Sequence, residues 1–588
     1  MLKRFFISML GTMAGLWVSL IVLFIGGMML LGVFIAKAGG DSAVAVEKKS
    51  ILYFDLSGTI ADRNQPTSFI QMLQNADNDA PTIEDMILSL RAAADDDRIE
   101  GLYLNCAGAS MGMASRQELI DAIYEFKESG KWVYAYGDMY SQGDYMIAST
   151  ATTIALNPMG SVDIHGVGGT TPFFKELLDK LGIKMQIIKV GTYKSAVEPY
   201  ILNAMSEPAR QQMQQYIDSI WAYASEEIAY GRAIPVDTIR RMASELIFTR
   251  PADTFVAAGL ADTLLYRRQA ENVLREYCDI DLDEDLRFIS PADYVDAENL
   301  AEDKLSRKHV AVLYAIGDIV DSGKSGIVGP KMVDEIVELA DNDKVAGMVL
   351  RVNSPGGSAF ASEQIWEALQ YFKSKNKPLY VSMGDYAASG GYYISCGADS
   401  IFADRTTLTG SIGVFGMIPD VSGLVTDKLG VHFSTVETNP NAAGITDVHA
   451  MIPAQYQAMQ QHVETIYDLF TKRVAAGRNM PQDSVKAIAE GRVWIGGDAV
   501  KLGLVDGLAS LDEVIEAMCY DLDLDSDCIA RYPLGEDKLW EKFLRDYGNL
   551  DDLKLAGYDA ETLRMIETVQ RLRSGNPMQA RMEYIIFQ

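Results

Sequence analysis

The chain has 588 residues, room for two to four domains at roughly 100–200 residues each. Hydrophobic residues make up 48% and charged residues 23%, a balance that excludes broad disorder. The net charge of −29 repels phosphate, so no nucleic-acid partner is expected.

Taken in chain order, the first element is an uncharged run from Phe5 to Ile35, interrupted only by the hydroxyl residues Ser8, Thr12 and Ser19. About 20 apolar residues span a bilayer, whereas a signal-peptide core has about 7–15. The run predicts one transmembrane helix within residues 1–40. Ala36-Lys37-Ala38 resembles a cleavage site, which leaves removal of the span open. Lys3 and Arg4 precede the span and Lys37 follows it, which places the N-terminus in the cytoplasm and the bulk of the chain outside it.

Two series of similar segments follow, offset by 244 to 250 residues. Glu100–Leu104 parallels Ala346–Leu350, and Tyr136–Tyr140 parallels Met383–Ala387. Met159–Val162 parallels Thr409–Ile412, Asp179–Gly182 parallels Asp427–Gly430, and Ala258–Asp262 parallels Leu502–Asp506. Matches kept in this order mark a duplication, with repeats over 48–295 and 305–530. In the second repeat, His309–Tyr314, Val345–Val352 and Pro378–Met383 read as buried strands. Lys331–Asn342 and Ser362–Lys373 carry apolar residues at helical spacing, and Pro453–Arg478 reads as a long amphipathic helix. Alternating strands and helices predict an α/β fold with mostly parallel pairing. Residues 536–588 lie outside the repeat and receive no function.

Candidate chemistry begins at Val190–Val197, where Lys194 sits among small and apolar residues with Ser195 beside it as a candidate hydrogen-bond partner. The acidic stretches 279–285 and 521–527 lack EF-hand spacing and read as solvated linkers. Gly317–Ser325 has five residues between its glycines rather than four, and two aspartates that repel phosphate; it reads as a turn, not a P-loop. Asn353-Ser354-Pro355-Gly356-Gly357 closes a strand with paired glycines, whose N–H groups can hold an oxyanion. Gly384–Tyr392 supplies small residues for close packing. Leu408–Gly416 sets Ser411 between glycines. No HExxH motif is present, and no GxSxG elbow surrounds Ser389 or Ser411. The five cysteines form no CxxC pair and read as apolar fillers. No metal or cofactor is expected.

Ser411 needs a base. None of the five histidines, His165, His309, His432, His449 and His462, has a motif around it. A lysine can serve if burial neutralises it, since its free pKa is about 10.4. Lys194 fits that requirement. The duplication sharpens the choice: Lys194 projects onto Ala442, so the second repeat has no lysine there. Ser411 projects back onto Ser161, whose loop has Asp163 in place of Gly413. The counterpart of the paired glycines is Ala107–Met111, so Ser161 reads as structural.

Gly191–Pro199, Arg351–Ser358, Ala387–Tyr392 and Leu408–Gly416 together resemble the motifs of the long form of the bacterial signal peptide peptidase A family, the protease IV type. The resemblance covers nearly the whole chain. It implies a tandem duplication of a ClpP/crotonase-like α/β domain behind one transmembrane helix. It implies a Ser411–Lys194 dyad, with Lys194 from the first repeat and Ser411 from the second. It further implies remnant signal peptides as substrates, a bacterial inner-membrane location with the bulk periplasmic, and a homotetramer. The oxyanion would be held by N–H groups of Gly357 or Gly356 and of Ile412. The rival readings are a crotonase-type acyl-CoA enzyme and a catalytically silent membrane scaffold. Whether the dyad forms within one protomer or between two is open at this point.

Overall fold

The computed structural model describes residues 45–63, 81–323 and 325–533, and the backbone of 578–581. The expected membrane helix within residues 1–40 lies outside the described residues, as does most of 536–588. Among the described residues no helix is long and apolar enough to cross a membrane.

The first sheet contains β1 (Ser50–Leu56), β2 (Ile99–Cys106), β3 (Trp132–Gly137), β4 (Thr153–Leu156), β6 (Thr263–Leu264) and β7 (Arg287–Ile289), in the order β6-β4-β3-β2-β1-β7. Every pairing in it is parallel. The second sheet contains β8 (His309–Ile316), β11 (Val345–Ser354), β13 (Leu379–Ala388), β14 (Ser400–Ala403), β18 (Gly507–Leu508) and β19 (Ile529–Tyr532). Their order, β18-β14-β13-β11-β8-β19, repeats the first sheet strand for strand. Its upper end adds β15 (Leu408–Gly410) beside the last residues of β13, and β17 (Val493–Ile495) beyond it. Strands buried on both faces need apolar residues at nearly every position, and Val310–Leu313 and Met348–Leu350 supply them.

Matched tertiary bonds make the duplication concrete. Tyr145 Oη donates to the Leu260 carbonyl at 2.6 Å, and Tyr392 Oη to that of Leu504 at 2.8 Å. Asp262 accepts from the Ile154 N–H at 2.7 Å, and Asp506 from that of Ile401 at 2.8 Å.

A third sheet joins the repeats. It holds β5 (Lys184–Val190), β9 (Ile319–Val320), β10 (Ile327–Val328), β12 (Gly356–Ser358), β16 (Val414–Asp420) and β20 (Met578–Arg581), in the order β10-β9-β12-β20-β16-β5. The segment Gly317–Ser325 includes β9, and its described residues Asp321–Gly323 leave that strand toward β10. The five cysteines are buried and unpaired, as fillers should be. Asp279, Asp281, Asp525 and Asp527 are exposed. His309 opens β8 and lies 3.2 Å from Tyr532 Oη, a structural contact.

Between the repeats, Arg351 is 1% exposed and forms a bidentate pair with Glu118 at 3.0 and 3.2 Å, with Asp62 at 3.5 Å. Removing one partner of such a pair strands the others without compensation. Arg351→Met should therefore lower the unfolding free energy at pH 7 by about 3–5 kcal/mol. The check is the urea midpoint at constant slope; an unmoved midpoint would contradict the account.

Candidate active site

Lys194 reaches the second repeat because its strand leaves the first. β5 pairs antiparallel with β16 along its whole length, from Val190 opposite Val414 to Lys184 opposite Asp420. The loop after β5 is then pinned on two sides. Tyr193 N–H donates to the Glu490 carbonyl at 2.9 Å, and Gln212 Nε2 donates to the Tyr193 carbonyl at 2.9 Å. Two glycines make room for the lysine side chain. A Cβ at Gly413 would lie 3.3 Å from Lys194 Cδ, and one at Gly491 2.7 Å from Lys194 Cβ. This is the reason the first repeat's Asp163 cannot be matched here.

Lys194 is 1% exposed, and burial alone lowers its pKa from 10.5 to about 7. A buried ammonium without a carboxylate loses hydration that nothing replaces, so the neutral amine is favoured. Ser195, expected as its hydrogen-bond partner, is not: its hydroxyl accepts from Gln212 Nε2 at 3.1 Å. Nζ instead lies 2.8 Å from Ser389 Oγ, 3.0 Å from Ser411 Oγ and 3.2 Å from the Ser411 carbonyl. All three contacts form within one chain.

In the sequence Ser389 is one of the small residues of Gly384–Tyr392, without a GxSxG elbow around it. It stands directly after β13 and opens the helix Gly390–Ser395, with φ 56° and ψ −111°. A side chain held in that region costs about 1–3 kcal/mol, and such positions gather at functional sites. Ser411 also has a positive φ of 50°, so strain does not separate the two serines. Strand order does. Ser354 at the end of β11 pairs with Ala387, which puts Ser389 level with Gly356 on the adjacent strand. Gly391 confirms the closeness, since a Cβ there would lie 2.6 Å from the Ser354 carbonyl oxygen. Ser411 follows β15, on the far side of β13, where Thr409 pairs with Ala387 and Gly410 with Ala388. Neighbouring strands are about 4.8 Å apart, so Ser411 stands about two strand spacings from the glycine loop. The expected grouping of Ser411 with Gly356 and Gly357 around one carbonyl is therefore split by β13.

Hydrogen-bond capacity points the same way. A neutral amine has two hydrogens and one lone pair. Ser411 accepts both hydrogens, through Oγ and its carbonyl, and directs its own hydroxyl to the Gly491 carbonyl at 3.3 Å. The lone pair is left for the Ser389 hydroxyl. Ile412, whose backbone N–H was the other expected oxyanion donor, follows Ser411 and stands with it on the side of β13 away from the glycine loop.

Beside the serines lies a slot between β12 and β16 that takes an extended chain. The protein's own β20 occupies it, with Gly357 opposite Ala580 and Phe415 opposite Gln579, both antiparallel.

The first repeat keeps a filled version of the glycine loop. Gly108 and Ala109 N–H groups donate to the Asp144 carboxylate at 2.9 and 3.1 Å. Asp144 precedes Tyr145 as Gly391 precedes Tyr392, so the carboxylate sits where the second repeat leaves space. The loop beside Ser161 is therefore filled, and among the described residues no lysine bonds to Ser161.

Residues 125–281 and 371–525 match peptidase family S49, and residues 321–410 match the Clp protease family. A Haemophilus influenzae protein called Protease 4 is 35% identical over 520 residues, covering 84% of this chain and 83% of the relative. Protease 4 of Salmonella typhi is 35% identical, covering 82% and 80%. A putative signal peptide peptidase SppA of Enterococcus faecium is 33% identical over 241 residues, covering 40% and 70%. The duplicated α/β fold and these matches define a serine peptidase. The chain belongs to peptidase family S49.

A reaction that needs neutral Lys194 should rise with pH through one ionisation near 7 and stay high above it. Lys194→Arg keeps the charge but cannot lose a proton, so peptide cleavage should fall by about 10³-fold or more with the fold intact. Comparable cleavage by the arginine variant would remove Lys194 from the chemistry.

Proposed function

We propose that the chain is an endopeptidase in which Ser389 is the nucleophile, Lys194 the general base and Ser411 the group that orients the lysine. The carrying observation is the 2.8 Å contact between a buried lysine without a carboxylate partner and a serine at a strand-to-helix elbow, next to a slot for an extended peptide. Ser389 Oγ attacks the scissile carbonyl carbon as Lys194 Nζ takes its proton. The resulting oxyanion faces the N–H groups of Gly357 and Gly390. Lys194 returns the proton to the leaving amine, and an ester to Ser389 remains. Water, deprotonated by Lys194, attacks the ester carbonyl; the acid product leaves, and Lys194 returns the proton to Ser389 Oγ, which restores the enzyme. This reading replaces the sequence-based choice of Ser411 and Ile412, because Ser411 is separated from the glycine loop by β13. It keeps Gly357; the Gly356 N–H is already bonded to Ser354 Oγ at 3.1 Å.

The substrates we infer are remnant signal peptides. The name of the Enterococcus faecium relative and the membrane span expected at residues 1–40 support this. Such peptides are extended and apolar, suited to strand pairing with β12 and β16 in place of β20. The same span supports an inner-membrane anchor with the N-terminus cytoplasmic and the repeats, 48–295 and 305–530, periplasmic. The family resemblance adds a homotetramer. Exposed apolar residues on the β5–β16 arm, among them Phe174, Leu177, Leu429, Phe433 and Val436, offer a surface for copies of the chain. The acyl-CoA and silent-scaffold readings give way to the peptidase family and the assembled lysine–serine contact.

A fluorophosphonate should form its adduct on Ser389, located by peptide mass mapping. Ser389→Ala should abolish cleavage, Ser411→Ala should slow it by about 10²-fold through a misoriented lysine, and Ser161→Ala should leave it near wild type. An adduct on Ser411 would restore the sequence-based assignment. For the anchor, a C-terminal alkaline phosphatase fusion should be active; an inactive one would reverse the topology.

A further inference from the structure

Opposite Asn353 the register of β13 slips between Met383 and Ala387, and the bulge turns Asp385 toward the first repeat. Its carboxylate accepts from the Ala114 N–H at 2.9 Å and the Ser115 N–H at 3.2 Å, and from the Ser115 hydroxyl at 2.8 Å. These N–H groups belong to the first turn of the helix Met113–Glu128. That helix has Gly112 as its N-cap and no side-chain cap of its own. A Cβ at Gly112 would fall 1.8 Å from Asp385 Cγ, so the glycine leaves the space that the other repeat's carboxylate fills. Burial and the nearby Asp62 push the Asp385 carboxyl above the usual carboxylate range, while the bonds from Ser115 and the helix dipole hold it back. In the first repeat the matching Asp138 bonds instead to Tyr136 and Asn157 of its own half. The cap is thus a one-way link, from the second repeat to the first. The charged and titratable groups around it are Asp62, Asp404, Arg351 with its partner Glu118, Arg116 of the capped helix, and Tyr216.

Both halves of the site branch from this junction. Four residues beyond Asp385, β13 delivers Ser389. Asn353 lies 3.4 Å from Asp385 Oδ2 through Nδ2, accepts from the Tyr386 N–H at 3.1 Å, and leads to Gly356. On the other side, Met113 shares an apolar cluster with Tyr216, Ile220, Ala388 and Leu408. Tyr216 and Ile220 lie on the helix Glu207–Arg232, whose Gln212 grips the loop of Lys194.

We propose that Asp385 is a positioning residue for catalysis: by capping the first repeat's helix it sets how closely Lys194 approaches Ser389. The proposal rests on the Ser389–Lys194 reading. Asp385 touches neither the peptide slot nor the reacting atoms, so its loss should act on kcat and on the pH midpoint rather than on KM. The experiment compares peptide cleavage against pH for the full-length wild type, Asp385→Ala and Asp385→Asn, with the fold checked by circular dichroism. Asp385→Ala should lower kcat by about 10²-fold, leave KM within about two-fold, and move the pH midpoint upward as Lys194 gains water. Asp385→Asn keeps an oxygen for the two N–H groups and should recover most of kcat and the lower midpoint. A folded Asp385→Ala enzyme with wild-type kcat and midpoint overturns the proposal, as does a loss confined to KM. If Asp385→Ala does not fold, Ser115→Ala removes only the hydroxyl arm of the link. It should shift kcat and midpoint in the same directions by less, and an unchanged Ser115→Ala enzyme overturns the proposal. Failure of the underlying reading would show separately, as a wild type with no rise near pH 7 or an adduct away from Ser389.

Discussion

The site depends on one lysine being kept dry. In water the Lys194 amine would hold its proton throughout the neutral range and could take none from a serine. Burial lowers its pKa to about 7, and no carboxylate nearby reverses the shift. Everything that positions Lys194 serves this desolvation. The β5–β16 pairing carries it out of its own repeat, Gly413 and Gly491 open a channel one side chain wide, and Ser411 takes up its two hydrogens.

Duplication made this division possible. Two copies of one topology present two glycine-loop positions and two serine-loop positions. One copy gives up its loop to an internal carboxylate, Asp144, and lends its β5 arm to the other. The other keeps the vacant loop and needs no lysine of its own; Ala442, the counterpart of Lys194, lies on an exposed loop. A base supplied across an interface is only as well placed as that interface. The buried Arg351–Glu118–Asp62 cluster and the Asp385 cap lie where the two copies meet, next to the strands that end in Ser389 and Gly356.

The occupied slot between β12 and β16 also bears on substrate recognition. Backbone pairing holds a chain without regard to its side chains. A peptidase built on such pairing accepts any segment able to lie extended, which suits varied apolar peptides better than a single defined sequence.

The sequence by itself determined the duplication, the α/β alternation, the glycine loops and Lys194 as a base awaiting burial. These are local properties: strand and helix periodicity, turn chemistry, and a lysine among small and apolar neighbours. It did not determine which serine the lysine serves. Ser389 and Ser411 both sit in glycine-flanked loops, and they lie 195 and 217 residues from Lys194 along the chain. Only strand order tells them apart, because β13 ends beside the glycine loop and β15 ends one strand beyond it. The same limit hid Asp385, which reads as a loop aspartate until the fold sets it against the bare N-terminus of a helix in the other repeat. It misdirected Ser195 too, since adjacency in the chain does not fix where a side chain points. Tertiary structure decided these contacts, and with them our proposed choice of Ser389, because hydrogen-bond partners across repeats follow from register and packing and leave no pattern in either segment alone.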